Sequence, residues 1–299
     1  MTQWLEFTKM HGAGNDFVVL DGLRGVLPPI EGLARRLADR HFGVGADQIL
    51  VLRPSRVADV RMEIYDADGS QVEMCGNGIR AVFKYLRDRG LTDKQELAVE
   101  TLGGVVRPSW AGADRVRVEM GRPIFAPAKI PTRLGTGDGP VVDAPLEVGG
   151  ATWRVTAVSM GNPHAVLFVD DVDEAPVTSL GPRIEHHPAF PNRVNVEFIQ
   201  VVGRDRLRQR TWERGTGETL ACGSGACAAA VASILRGVAD RELSVELRGG
   251  ALQIAWPAAD AGVTMTGPAA EVFSGRIKLD DPEGRLDDPA GRAPGGGGA

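Results

Sequence analysis

Two cysteines in this sequence stand in the same short context. Cys75 opens Cys75-Gly76-Asn77-Gly78 and Cys222 opens Cys222-Gly223-Ser224-Gly225, each ahead of a stretch with helically spaced apolar residues. At a helix start, unpaired backbone N–H groups and the positive end of the helix dipole converge. A thiol placed there is expected to ionise below its free value of about 8.5. The adjacent glycines let an anionic ligand approach the backbone, as a carboxylate does at a helix N-terminus. Each copy therefore offers one acid/base thiol and half of a carboxylate cradle. Set face to face, the two copies form a near-symmetric site that takes a proton from one face of a carbon and returns one to the other. One sulfur is then thiolate and the other thiol, and the direction of reaction exchanges them. Amides on the substrate carboxylate would stabilise an enediolate by roughly 2.7–4 kcal/mol per well-aimed donor. Cofactor-free inversion at an amino-acid α-carbon fits these parts.

Other readings of the same residues compete with this one. A lone buried cysteine is often a small hydrophobe, and a Cys75–Cys222 disulfide is a structural alternative. Gly76-x-Gly78-x-x-Ala81 and Gly223-x-Gly225-x-x-Ala228 loosely match a dinucleotide fingerprint, but the polar residues before them do not suit the buried strand it requires. No C-x-x-C or H-E-x-x-H supplies zinc ligands, and the thiol pair leaves pyridoxal phosphate without a task. Cys227 occupies the place of Arg80 in the other copy and reads as packing. His41, His186 and His187 read as solvated.

The doubling extends well beyond the cysteines. An interval of 147 positions carries Gly14-Asn15-Asp16-Phe17 onto Gly161-Asn162-Pro163-His164, Gln48 onto Asn195, Asp66 onto Glu213 and Cys75 onto Cys222. After one deleted residue the interval becomes 146 and carries Gly103-Gly104 onto Gly249-Gly250 and Gly121 onto Gly267. A repeat this long implies two homologous units. Within the first, β-branched and apolar runs predict strands over 8–10, 17–21, 48–52 and 61–65. Ile30, Leu33, Ala34 and Leu37 predict an amphipathic helix, and Ile79, Val82, Phe83 and Leu86 predict a second one capped by Gly90. The matching helix over 226–235 is apolar nearly all round and must be buried.

The expected fold class is α+β: two pseudo-symmetric repeat domains, each a strand-rich, barrel-like sheet around a central helix, with the active site in the cleft between them. The strand-like stretch 123–130 should open the second domain. By symmetry Ala270–Leu279 should return to the first. The expected boundaries are 1–121 with 268–280 for one domain and 122–267 for the other. Residues 281–299 bury almost nothing and are expected to form a disordered tail.

Composition bounds the function classes. The chain has 299 residues, of which 43% are hydrophobic and 24% charged, which excludes disorder of the whole chain. A net charge of −5 with no basic block argues against a nucleic-acid partner. No apolar run approaches the ~20 residues of a membrane span, and MTQWLEFTKM lacks a signal-peptide core. Three cysteines suit reduced thiols better than a disulfide framework. The expected location is the cytoplasm.

At the motifs themselves the chain resembles the diaminopimelate epimerases. The resemblance is carried by Lys9-Met10-His11-Gly12-x-Gly14-Asn15-Asp16-Phe17, Gly45-Ala46-Asp47-Gln48 and Asp68-Gly69-Ser70, and by Met74-Cys75-Gly76-Asn77-Gly78-x-Arg80. It continues in Met160-Gly161-Asn162-Pro163-His164, Arg193-Val194-Asn195-Val196 and Trp212-Glu213-Arg214-Gly215-x-Gly217-Glu218-Thr219, which runs into Cys222-Gly223-x-Gly225. It implies a cofactor-independent isomerase, without metal, that interconverts LL- and meso-2,6-diaminopimelate for lysine and peptidoglycan synthesis. It also implies a homodimer and a small-molecule substrate. By position, Cys75 and Cys222 become the acid/base pair, and Gly76-Asn77 with Gly223-Ser224 hold the reacting carboxylate. Glu213, helped by His164, takes the reacting ammonium. Asn15, Gln48, Asp66, Asn162, Asn195 and Arg214 shape the pocket and its distal end. Asp66 departs from the family, which usually has Asn there; pairing with Arg214 across the cleft would offset its charge. The alternatives are a proline or hydroxyproline epimerase of the same superfamily and a non-catalytic amino-acid-binding protein.

Overall fold

The computed structural model describes residues 3–279 except 136 and 138; the expected tail at 281–299 lies outside the described residues. The first half opens with a hairpin of β1 (Gln3–Gly12) and β2 (Asn15–Asp21), turned through Ala13 and Gly14 with left-handed backbone. Helix α1 (Glu31–Ala38) crosses to β3 (Gln48–Arg53), parallel to β2. β4 (Val60–Asp66) returns antiparallel to β3, and β5 (Gln71–Val72) folds back on it. Helix α2 (Gly76–Asp88) leads to β6 (Val99–Thr101), parallel to β4, and to β7 (Gly104–Val106).

After β8 (Ser109–Trp110), β9 (Arg115–Glu119) and β10 (Val141–Val148), the second half repeats this path. β11 (Ala151–Ser159) and β12 (Pro163–Phe168) are followed by α3 (Val177–Glu185) and by β13 (Asn195–Gly203), parallel to β12. β14 (Arg206–Glu213), β15 (Gly217–Thr219), α4 (Gly223–Leu235), β16 (Glu242–Leu247) and β17 (Gly250–Ala255) complete it. Helices α2 and α4 start and end 147 residues apart.

The strands at the ends of the two halves change places. β10 lines the edge of the second sheet beside β11, and the final strand, β19 (Ala270–Leu279), lines the edge of the first beside β1. The strands before these crossings, β9 and β18 (Thr264–Pro268), pair antiparallel with Thr264 opposite Glu119 and Thr266 opposite Arg117. Residues 109–119, inside the expected first domain, therefore hydrogen-bond into the second sheet.

The segment 123–130 is not a strand. Ile124 makes one bridge to Ser159, and Pro127–Lys129 forms a 3-10 turn. Pro123 and Pro127 carry no N–H for a ladder, and Pro127 is pre-set for the first position of such a turn. The strand that takes this edge is β10, whose own Pro145 is tolerated because an edge strand has one unpaired side.

Each sheet is wound round one helix. α4 is buried continuously from Gly225 to Ser233 and packs on β11–β14 and β16–β18, which explains an apolar surface on all sides. α2 buries Ile79, Val82, Phe83 and Leu86 against the first sheet and against Val116 and Val118 of β9. α1 lays Leu33, Ala34 and Leu37 on that sheet's other face. Among the described residues no helix is long and apolar enough to cross a membrane.

Candidate active site

Both cysteines are helix N-caps. Cys75 and Cys222 have extended backbones, and their sulfurs accept from the amides of Gly78 at 3.3 Å and Gly225 at 3.4 Å. This is the N-cap to N3 bond with sulfur in place of the usual oxygen. The two helix starts face each other. A Cβ on Gly223 would lie 3.3 Å from the Asn77 Oδ1, and Met265 packs against both Gly76 and Gly223. All three cysteines are free thiols.

Around Cys75, the Asn15 Oδ1 lies 3.8 Å from the sulfur and accepts from Asn77 Nδ2 at 3.1 Å. Asn15 Nδ2 donates to Asp47 at 2.8 Å. Asp47 belongs to a charged cluster with Arg40, Asp16 and Lys9. Burial opposes ionisation of Asp16, but hydrogen bonds from Arg40 and Lys9 override it and hold the carboxyl well below its usual range. The cluster braces the β1–β2 hairpin against the loop that leads into β3 and Gln48.

Around Cys222, Ser224 Oγ lies 3.5 Å from the sulfur and accepts from Asn162 Nδ2 at 3.2 Å. His164 is fully buried, with Nε2 3.0 Å from Asn162 Oδ1 and Nδ1 2.8 Å from Glu197 Oε1. Both of its ring nitrogens have side-chain partners, and Asn162 links the imidazole to Ser224. Glu197 also accepts from Gln209 and Thr211. It was not singled out from sequence, although a Glu within the apolar run Val194–Ile199 signals a buried, fully partnered carboxylate.

Glu213 lies beside Cys222 and accepts from Thr219 Oγ1 at 2.5 Å. Asn195 is buried, and both ends of its amide serve backbone: Nδ2 donates to the Pro163 carbonyl and Oδ1 accepts from the Arg214 amide. It braces the Glu213–Arg214 turn, as does Glu185, which accepts from Trp212 and Gly215. Gln48 Nε2 donates to Asp66 Oδ1 at 2.8 Å, and Gln48 Oε1 is buried with no hydrogen-bond partner among the described residues. Arg214 is exposed and donates to the Asn192 carbonyl at 3.2 Å. The expected Asp66–Arg214 pair is absent among the described residues: Asp66 accepts from Gln48, directly opposite it on β3, and Arg214 turns to the Asn192 carbonyl.

The expected lowering of the thiol values is reversed. Burial pushes Cys75 up to about 11, outweighing the helix-start amides and the Arg80 charge. Burial also raises Cys222 well above its ordinary value, and the negative charges of Glu213 and Glu197 add to it. Desolvation disfavours a thiolate more than two or three donors favour it. Cys227, fully buried in the core around α4, is pushed by burial to about 12.

Burial likewise pushes the Glu213 carboxyl from 4.5 up to about 7, with Thr219 pulling in the other direction. The folded chain therefore holds a proton that the unfolded chain lacks between about pH 4.5 and 7, and stability falls as pH rises through that window. Glu213→Gln removes this dependence. Its melting temperature relative to the parent should climb between pH 5 and pH 8; a constant difference would assign Glu213 an ordinary, solvated carboxylate.

The model of the diaminopimelate epimerase family matches residues 7–126 and 156–272. The chain is 53% identical to the diaminopimelate epimerase of Moorella thermoacetica over 281 residues, covering 92% of this chain and all of that one. It is 50% identical to diaminopimelate epimerase 1 of a Nostoc species, covering 91% and 99%. Among solved structures, a hydroxyproline epimerase from Agrobacterium vitis aligns with a TM-score of 0.66 at 18% identity, covering 95% of this chain and 96% of that one. A PhzF-family phenazine biosynthesis protein from Bacillus anthracis aligns with a TM-score of 0.68 at 17% identity, covering 92% and 99%. With its family match over most of the described fold and half of its residues shared with relatives along nearly their whole length, this chain belongs to the diaminopimelate epimerase family.

Proposed function

We infer that this protein interconverts LL- and meso-2,6-diaminopimelate with Cys75 and Cys222 as paired acid and base. The observation that carries the reading is the close approach of two thiol-capped helix starts. The α-carbon sits between the sulfurs, and its carboxylate lies on the amides of Gly76-Asn77 and Gly223-Ser224. One thiolate removes the α-proton, the amides hold the charge that moves onto the carboxylate as an enediolate, and the opposed thiol delivers its proton to the other face. The first sulfur leaves as thiol and the second as thiolate, so the reverse reaction starts from the product state. Glu213 loses its proton to become the counter-ion of the α-ammonium. At the distal end, Gln48 Oε1 and Asp66 offer acceptors to the second ammonium, while Arg214 meets the second carboxylate.

The test is incubation with LL-diaminopimelate in deuterated water after dialysis against a chelator. Deuterium at the α-carbon together with meso product is expected; a requirement for added metal or pyridoxal phosphate overturns the mechanism. Asp66 gives a second check. Asp66→Asn should keep turnover and shift the Michaelis constant, because a distal contact acts alike on ground and transition states. Collapse of turnover at an unchanged Michaelis constant would move Asp66 to the reacting centre.

The same proposal takes residues 1–121 with 268–280 and residues 122–267 as the two domains, in a homodimer. The place of β19 in the first sheet and of β10 in the second supports this division, with residues 109–119 of the first domain hydrogen-bonded to the second sheet; sedimentation tests the dimer. The negative net charge supports the absence of a nucleic-acid partner, and a pair of thiols that must stay reduced supports a cytoplasmic location.

A further inference from the structure

The two halves of the site differ in charge under their helix starts. Gly78 and Gly225 occupy matching third positions of α2 and α4. A Cβ on Gly78 would meet Leu50, whereas one on Gly225 would meet the Glu197 carboxylate at 2.5 Å. Leu50 and Glu197 are themselves 147 positions apart, as are Arg80 and Cys227. One half thus places a cation and an apolar side chain behind its thiol. The other places a carboxylate and a neutral thiol there.

Arg80 is fully buried, and all its hydrogen-bond acceptors among the described residues are uncharged: Asn77 Oδ1 at 2.8 Å, the Gly76 carbonyl at 3.3 Å, the Pro268 carbonyl at 3.3 Å and the Met265 Sδ at 3.7 Å. Among the described residues no carboxylate forms an ion pair with it. Its space is built for it, since a Cβ on Gly12 would lie 3.1 Å from Nη2 and one on Gly267 3.0 Å from Nε. An unpaired buried cation is costly to keep, yet burial lowers this guanidinium only to about 10, so it remains charged at neutral pH. Its donation to Asn77 Oδ1 turns Asn77 Nδ2 toward Asn15 Oδ1, which faces the protonated Cys75 thiol as an acceptor, so the guanidinium charge and not this chain of amides favours the thiolate.

We propose that Arg80 is a positioning residue that breaks the pseudo-symmetry of the thiol pair, so that Cys75 gives up its proton before Cys222 does. Once formed, the Cys75 thiolate is the anion that Arg80 otherwise lacks. The charged groups facing Cys75 are Arg80 and Glu213; those facing Cys222 are Glu213 and Glu197, the latter bonded to His164; Arg115 and Cys227 are the others near Arg80. Glu213 acts on both sulfurs, leaving Arg80 and Glu197 to distinguish them. This assignment rests on the two-thiol reading above.

The experiment is alkylation of the ligand-free protein with iodoacetamide between pH 7 and 10, with each cysteine followed by mass spectrometry. Cys75 is expected to react at lower pH than Cys222. In Arg80→Met its midpoint should rise by about one pH unit, read as about tenfold slower alkylation at pH 9, with Cys222 little moved. Arg80→Lys should restore most of the parent rate, which a purely structural role for the guanidinium does not predict. If Arg80→Met does not fold, Glu197→Gln carries the test, and there the Cys222 midpoint should fall while Cys75 stays. Equal midpoints in the parent, or a folded Arg80→Met with Cys75 unchanged, overturn the proposal. Asymmetric alkylation without deuterium incorporation into diaminopimelate would overturn the proposed function alone, because the alkylation needs no substrate.

Discussion

Cys75→Ala and Cys222→Ala should each lose inversion by roughly 10²–10⁴-fold, the usual contribution of a positioned acid or base, whereas Cys227→Ala should keep nearly all of it. Cys75 and Cys222 cap the two helices whose starts approach each other, while Cys227 lies inside the core around α4. Removing its sulfur costs about 1 kcal/mol of packing and nothing in chemistry. The single-cysteine variants separate the two faces of the reaction. With Cys75 gone, Cys222 can still remove and return a proton on its own side, so one stereoisomer should exchange its α-hydrogen slowly with solvent without inverting. With Cys222 gone, the other stereoisomer should do so. Proton NMR in deuterated water reads both exchange and product. Equal losses in all three variants would mean that the cysteines matter for packing alone.

Gly249→Ala should lower kcat/KM by about 10²-fold, while Gly103→Ala, at the matching position of the other half, stays within a few-fold of the parent. A Cβ on Gly249 would lie 2.0 Å from the Ala13 carbonyl oxygen, whereas one on Gly103 would lie 3.3 Å from the Glu73 carbonyl. Ala13 forms the tip of the β1–β2 turn and is buried in the core of the second half, beside Met160 and Ala221. Gly249 is held by the hydrogen bond its N–H donates to the carbonyl of Leu220, two residues before Cys222. Neither backbone has a flexible end to yield, so the turn carrying Asn15 must retreat by about 1 Å from the approach to Cys222, a displacement of the size that costs such a factor. Steady-state kinetics with a melting curve decide the matter. Parent-like kinetics in a folded Gly249→Ala would show that catalysis does not need this contact between the halves.

Much of the site was legible because it is local. A cysteine followed by Gly-x-Gly and helically spaced apolar residues defines an N-cap within four positions, and both sulfurs accept the third amide of their helices as that pattern requires. The burial of α4 on all sides was likewise written in its alanine-rich composition. The segment 123–130 shows the converse: its apolar residues suggest a strand, but two prolines remove the donors, and only the pairing partners show that β10 holds the edge.

The repeat, the paired helix starts, the free-standing thiol motifs and the family were determined by the sequence by itself, since each depends on residue identity at short or fixed intervals. The tertiary structure alone decided which polar partner each residue finds and how dry it becomes. Gln48 donates to Asp66 while Arg214 turns to Asn192, and His164 turns both nitrogens into a buried network with Glu197. Arg80 is left without a carboxylate, and Cys75 is driven up in pKa although its helix start pulls it down. Hydrogen-bond partners and desolvation are set by groups scores of residues away in the chain, and for a buried charge desolvation outweighs any local preference.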